Sequence, residues 1–292
     1  MRRRRAGPPG LPHRFDVQVG PVAYRIGSAW RAPVEALGAL YRDFPPPTRV
    51  PDYSVRLEPH RPWRRFIRPQ VAIAGDFTLP DALPLPLAHG LLAAEMAMNL
   101  QLALGERRFL LLHAGSVERD GRVVILTGES GAGKSTLTTL LGENGWTYRG
   151  DEFVLLEPET GLAHAFPRPA SLKNAAIDEV ARVVDSARFG PVLGGTPKGR
   201  IRHLAPRSEA LASPPAAPAL VVFPRFGLRE AVRSVPRSEC FVRLTQASTN
   251  YVALGERGFE ALTALVGGTP AVAIDYPDTA TGLSLVETLA AP

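Results

Sequence analysis

The sequence predicts an α/β protein, a mixed sheet flanked by helices with a strand-rich region in front of it. Three observations carry that expectation. Apolar residues alternate with polar ones through much of the first sixty residues; an apolar run, Val123 to Leu126, leads into a glycine-rich loop; and leucines at helical spacing, Leu137, Leu140 and Leu141, follow the loop. With 292 residues, 45% of them hydrophobic and 21% charged, the chain has a globular composition and room for one large domain or two ordinary ones.

The chain divides into three parts in this reading. Residues 1–12 are Arg, Pro and Gly with almost nothing to bury, so a disordered tail is expected. Residues 13–108 form the strand-rich region: Phe15, Val17 and Val19, then Val22, Tyr24 and Ile26, then Tyr53, Val55 and Leu57 read as half-buried strands, with a loop at Pro45 to Pro47. The region ends in a helix from Leu87 to Leu104. His89, Glu95, Asn99 and Gln101 interrupt the apolar stretch around it, which makes it a buried helix and not a membrane span.

Residues 109–292 form the third part. An apolar run, Phe109 to Leu112, is followed by a hairpin, Gly115 to Val117 and Arg122 to Thr127, turning at Asp120-Gly121. A glycine-rich loop and a helix capped at Gly145 come next, then a second alternation over Asp151 to Leu156. Ile177, Val180, Ala181 and Val184 mark a helix opening near Asn174, and residues 186–218, rich in Gly and Pro, read as loops. A strand at Leu220 to Phe223, a helix through Phe259, Leu262, Leu265 and Val266, a strand at Ala271 to Ile274 and a helix through Leu283, Val286 and Leu289 complete the order.

Charge and cysteine content narrow the function classes. The formal net charge is +6, but four of those charges are Arg2, Arg3, Arg4 and Arg5, and the rest of the chain is nearly balanced. A body so balanced has no electrostatic drive toward a polyanion, so no nucleic-acid partner is expected. A single cysteine, Cys240, excludes an internal disulfide and a multi-cysteine zinc site, and no apolar stretch follows the N-terminal arginines. A cytoplasmic protein without a membrane partner is the expectation. Of 34 basic residues only Lys134, Lys173 and Lys198 are lysine. A chain that writes its surface cations as Arg keeps Lys where a compact ammonium is needed.

The chemistry centres on Gly128, Glu129, Ser130, Gly131, Ala132, Gly133, Lys134 and Ser135, which match G-x-x-x-x-G-K-[ST] between an expected strand and an expected helix and, with Thr136, are the nucleotide-binding candidates. Glycines let successive backbone N–H groups turn around a phosphate, and the helix N-terminus adds partial positive charge. Lys134 then serves the β- and γ-phosphates and the Ser135 hydroxyl a Mg²⁺ ion. Asp151 and Glu152 follow one short helix later, where one acid could hold Mg²⁺ and the other accept a proton from an incoming hydroxyl. His113 stands after the apolar run, where a lone histidine is more often a hydrogen-bonded core residue. Lys173 at a helix opening, Arg168 nearby, and Lys198 and Arg200 in a glycine-containing loop are accessory phosphate or substrate candidates.

These residues resemble a known family. His113, the hairpin, Gly128 to Ser135, and Arg149, Gly150, Asp151 and Glu152 are similar in order and offset to the catalytic domain of bacterial HPr kinase/phosphorylase, and most of all to the HPr kinase-related kinases of type A. The resemblance covers residues 109–160 and thins toward the C-terminus. It implies the P-loop fold shared with phosphoenolpyruvate carboxykinase, ATP and Mg²⁺ as cofactors, and an active-site role for His113. It also implies Glu152 as the proton acceptor and Asp151 as the acid on the metal side. The family's Glu-x-Arg-Gly-x-Gly signature is not found downstream, so neither phosphorolysis nor HPr as substrate is expected. A peptide or small protein, with a PqqD-like protein as partner, is what the related kinases imply.

The activity expected is transfer of the γ-phosphoryl group of ATP to a Ser or Thr hydroxyl of a protein or peptide. The rivals are a small-molecule kinase and a regulatory module that binds ATP without transferring it. A motor of the ABC type is disfavoured, because no Leu-Ser-Gly-Gly-Gln is present.

Overall fold

Alternating apolar residues and two glycine-broken apolar runs shape two units in the computed structural model, which describes residues 11–79 and 81–291. The first unit is Met1–Gln18 with Val22–Gly105, the second Val19–Pro21 with Glu106–Pro292. The expected tail falls, for residues 1–10, outside the described residues.

In the first unit, β1 (His13–Val19), β2 (Val22–Ser28), β3 (Tyr53–Pro59), β4 (Gln70–Gly75) and the two-residue β5 (Leu85–Pro86) form one sheet in that order. Strands β2 and β3 run parallel, and α1 (Arg31–Leu40) crosses between them. The sequence reading has no helix there, since Pro33 and Gly38 lower the local propensity; buried Leu37 and Leu40 hold it. The long apolar stretch is α2 (Gly90–Gly105), which buries Leu91, Ala94, Met98 and Leu102 and packs on β3 and β4. Among the described residues no helix is long and apolar enough to cross a membrane.

The second unit adds β6 (Leu110–Leu112), β7 (Ala114–Arg119), β8 (Arg122–Thr127), α3 (Lys134–Glu143), β9 (Thr147–Gly150), β10 (Val154–Leu156), β11 (Ala163–His164), β12 (Ala170–Lys173) and α4 (Ala175–Val180). After these come β13 (Leu193–Thr196), β14 (Gly199–Leu204), β15 (Ala217–Phe226), β16 (Ala231–Ser234), α5 (Arg237–Ala247), α6 (Tyr251–Leu254), α7 (Glu256–Gly268), β17 (Ala271–Tyr276) and α8 (Thr279–Ala290). The main sheet has the order β16-β17-β15-β8-β7-β9, with β8, β15 and β17 parallel and the β7–β8 hairpin antiparallel. This is a mixed α/β architecture. Two smaller sheets flank it, β11-β10-β6 and β12-β14-β13.

The Val123 to Leu126 run is apolar throughout because the sheet is covered on both faces. Val123 and Ile125 pack with Leu244 of α5 and Leu262 and Leu265 of α7. Val124 and Leu126 pack with Leu137 and Leu141 of α3 and Val286 of α8. The hairpin turns at Asp120 (φ 55°) and Gly121 (φ 73°), both left-handed, as a two-residue turn between twisted strands requires.

Several elements differ from the sequence reading. Residues 186–218 are not all loop: β13 and β14 lie among them, and in β14 buried Ile201 and His203 alternate with Arg200 and Arg202, a period-two signal that the surrounding Gly and Pro conceal. Asp151, Glu152 and Phe153 lie between β9 and β10 and not within one strand. Helix α3 is capped by Asn144, with Gly145 one residue beyond, and α4 stops at Val180. Strand β16 and helix α5 are absent from the sequence reading.

Cys240 on α5 is 1% exposed, and burial pushes its thiol up to about 11. The native protein at pH 8 is expected to resist a disulfide-exchange thiol reagent and to react stoichiometrically once unfolded in guanidinium; prompt native labelling contradicts the packing of α5 on α7.

Candidate active site

The loop from Gly128 to Gly133 leaves the C-terminal end of β8 and enters α3 at Lys134. Gly131 (φ 87°) and Gly133 (φ 89°) take left-handed backbone that L side chains rarely adopt. At Gly133 space forbids a side chain as well, since a Cβ there would stand 2.0 Å from the Tyr276 hydroxyl. That hydroxyl donates to the Ala132 carbonyl at 3.0 Å, pinning the loop to the end of β17. The Lys134 ammonium donates to the carbonyls of Gly128 (2.6 Å) and Glu129 (2.9 Å) and so lies across the start of the loop.

Strand order brings the acids to the same edge. Strand β7 is antiparallel to both β8 and β9, so β8 and β9 end on one side of the sheet. There the chain crosses to the neighbouring sheet, where β6 pairs with β10. Leu112 is opposite Val154 and Ser116 opposite Gly150, so one register carries through the break between the two ladders. His113 and the 151–153 segment occupy that break. The side chains of His113 and Glu152 meet there, Nδ1 to Oε1 at 3.9 Å, and the His113 ring stands edge-on to Phe153. Residue His113 is fixed by its own backbone, donating N–H to Ala247 (2.8 Å) and accepting from the Thr127 hydroxyl (3.1 Å).

Asp151 is 6% exposed. Its carboxylate accepts from the Ser171 amide of β12 at 3.1 Å and has the Ser135 hydroxyl beside it. Burial, and then the neighbouring Glu152 charge, push its carboxyl up to about 6, with Ser135, the Ser171 amide and Lys173 pulling the other way. Burial also lowers Lys134, opposed by Asp151 and Glu152. It lowers His113, opposed by Glu152 and assisted by Lys134, Lys173 and Lys198. All three lysines of the chain therefore act on one histidine.

The accessory candidates separate into two groups. Lys173 ends β12, two residues from Ser171, and Lys198 sits in the turn between β13 and β14. Asn174 clamps the two together: its side chain donates to the Lys198 carbonyl (3.2 Å) and accepts from the Arg200 amide (3.0 Å). Arg200 itself pairs with Asp178 at 2.7 Å, and Arg168 is buried with its carbonyl accepting from Tyr148 (2.9 Å). Neither is among the charges that act most on His113, Lys134 or Asp151.

A cleft of about 760 Å³ opens between the loop, His113, the end of β15 at Phe223–Phe226, and Arg243 and Gln246 of α5. The sequence reading places a strand at Leu220 to Phe223, and Arg225 after its end, without setting them beside the loop, and it does not name Tyr276. The ends of β15 and β17 become neighbours of the loop only through parallel pairing with β8, and a strand end followed by an aromatic residue was the single signal available.

Among the described residues no cluster of three or more His, Cys, Asp or Glu could hold a metal. Magnesium in a nucleotide site takes one or two carboxylates and fills its octahedron with phosphate oxygens and water. One hydroxyl, Ser135, beside one buried carboxylate, Asp151, fits that ion in company with a polyphosphate.

No protein-family model matches the chain, and no curated protein sequence matches it. Among solved structures it is similar to the HPr(Ser) kinase/phosphatase from Coxiella burnetii, at 14% identity over 61% of this chain and 96% of that chain, with a TM-score of 0.29, a distant likeness.

Because the Asp151 carboxyl is raised in the folded state from 3.8 to about 6, the folded protein binds more protons than the unfolded chain between those values. Its charge therefore costs nothing below pH 4 and up to about 3 kcal/mol above pH 6. Asp151→Asn is expected to raise the urea midpoint of the nucleotide-free protein at pH 7.5 and to leave it nearly unchanged at pH 4. Equal effects at both values remove the buried-charge account.

Proposed function

We propose that the chain is an ATP- and Mg²⁺-dependent kinase that transfers the γ-phosphoryl group to a Ser or Thr hydroxyl of a protein or peptide. The observation that carries this reading is the convergence, on one sheet edge, of a Lys134-Ser135 loop terminus, a buried Asp151 beside Ser135, and a half-exposed Glu152 beside His113.

The loop amides and Lys134 would hold the β- and γ-phosphates, and Ser135 and Asp151 would hold Mg²⁺. When bound, that ion supplies charge neutralisation on the phosphates. Glu152 accepts the proton of the acceptor hydroxyl as the oxygen attacks γ-phosphorus and the bond to the ADP oxygen breaks, so proton and leaving group are both accounted for. His113 stands beside Glu152, Nδ1 3.9 Å from Oε1, and burial disfavours its charged form. Lys173 and Lys198 add positive charge on the acceptor side of the loop. The cleft lined by the loop and His113 would hold the phosphates, with the acceptor hydroxyl beside them.

Single-turnover incubation with γ-labelled ATP, followed by mass spectrometry of protein and metabolite pools, tests the assignment. Label on Ser or Thr of a polypeptide is expected. Label in a small molecule, or tight ATP binding with no transfer, replaces the reading with one of its rivals. Lys134→Ala is expected to abolish transfer. Glu152→Gln is expected to lower kcat by about a hundredfold or more while nucleotide affinity changes little; the reverse pattern moves Glu152 into binding.

A further inference from the structure

The first unit carries a surface that phosphoryl transfer does not use. Strand β3 ends at Pro59 and β4 begins at Gln70, and the His60 amide donates to the Gln70 carbonyl at 3.2 Å, closing the base of a protruding excursion. The excursion reads His60-Arg-Pro-Trp-Arg-Arg-Phe-Ile-Arg68 and contains no acid. Pro62–Arg65 form a single 3₁₀ turn, and the Ile67 amide donates to the Trp63 carbonyl at 3.0 Å. At its surface three large apolar side chains are left in water, Trp63 at 51%, Phe66 at 78% and Ile67 at 64% exposure.

Four arginines stand among them. The guanidinium groups of Arg61 and Arg65 lie over the rings of Trp63 and Phe66, at 5.3 and 5.5 Å from the centroids. None of Arg61, Arg64, Arg65 and Arg68 is ion-paired to a carboxylate among the described residues. Elsewhere arginines are commonly satisfied: Arg188 and Arg207 share Glu143, Arg233 and Arg243 share Glu239, and Arg225 takes Asp275. The turn is also held in place. The Trp30 indole donates to the Arg65 carbonyl at 3.0 Å, the Arg64 guanidinium to the Arg68 carbonyl at 3.3 Å, and Arg68 sits at φ 44°.

We propose that residues 60–68 dock the protein on an anionic lipid bilayer. Trp and Phe rings partition to the headgroup level, arginine stems lie along apolar surface while their heads meet lipid phosphates, and exposed apolar side chains find there the burial that the protein denies them. Charge complementarity selects the anionic surface. A single-stranded nucleic acid explains the surface less well, since Ile67 has no π-face for a base and one turn offers no groove for a backbone to track. One turn with three apolar side chains gives reversible association, not anchoring.

Flotation of the full chain with vesicles of phosphatidylcholine alone, and of phosphatidylcholine with phosphatidylserine, tests this. Association with the anionic vesicles only, weakened by salt, is expected, with a blue-shifted Trp emission that Trp63→Phe abolishes. The combined variant Trp63→Ser, Phe66→Ser, Ile67→Ser is expected to lower the partition coefficient by about tenfold or more, and Arg61→Gln with Arg68→Gln to do likewise while keeping the apolar side chains. Both variants are checked for an unchanged urea midpoint. The proposal is overturned if both float like the wild type, or if only substitution of Arg2 to Arg5 removes binding. It is also overturned if vesicles are ignored while an acidic polypeptide or single-stranded nucleic acid is captured through these residues.

Discussion

One carboxylate ties three elements of the second unit together. Asp151 accepts from Ser171 in β12 and stands beside Ser135 in the first turn of α3, while its own backbone leaves the end of β9. Each of those elements is placed by different physics: α3 by its leucines on the sheet, β9 by pairing with β7, β12 by pairing with β14. Their meeting at a nearly dry acid is a constraint on all three. A buried carboxyl raised to about 6 is unfavourable for the fold at neutral pH, and such groups concentrate where chemistry needs them.

The interruption of the ladder has the same character. Had the β7–β9 and β6–β10 pairings run on as one pair of strands, residues 113 and 151–153 would have spent their backbone on ladder bonds and their side chains on the two sheet faces. Breaking it without losing register lets His113 and Glu152 turn toward each other at the edge where the loop opens. Positive charge is then added from outside that sheet, by a hairpin that Asn174 clamps. The chain spends only three lysines, and all three act on His113. A compact ammonium can enter a half-buried site where the wide, always charged guanidinium would demand its own carboxylate.

The loop, the hairpin before it and the helix after it were legible because each has a local cause: an Asp-Gly turn, an apolar run covered on both faces, glycines at left-handed φ, leucines at helical spacing. The three lysines were legible as a compositional anomaly, though nothing in the sequence says that Lys173 and Lys198 come together. What stayed hidden is non-local. Tyr276 reaches Ala132 from 144 residues away through strand order, and Phe223–Phe226 and Arg243 wall the cleft for the same reason. The β13–β14 hairpin was hidden differently, by reading glycine and proline content ahead of the Ile201 and His203 alternation.

Under the proposed reaction the two acids cannot exchange roles, and their surroundings say why. A general base must reach a hydroxyl that arrives from solvent and must have a lone pair to offer it. Asp151 is buried, one oxygen is taken by the Ser171 amide, and Ser135 stands beside it, so its remaining capacity is directed at whatever Ser135 also binds. The Glu152 side chain is 35% exposed, faces His113 at 3.9 Å, and stands next to the residue that lines the cleft. Its extra methylene, compared with an Asp at that position, lengthens its reach toward that opening. The Glu152 charge also raises the Asp151 carboxyl, because two neighbouring negative charges in a site of low polarity disfavour each other. A cation held by Ser135 and Asp151 would relieve that repulsion.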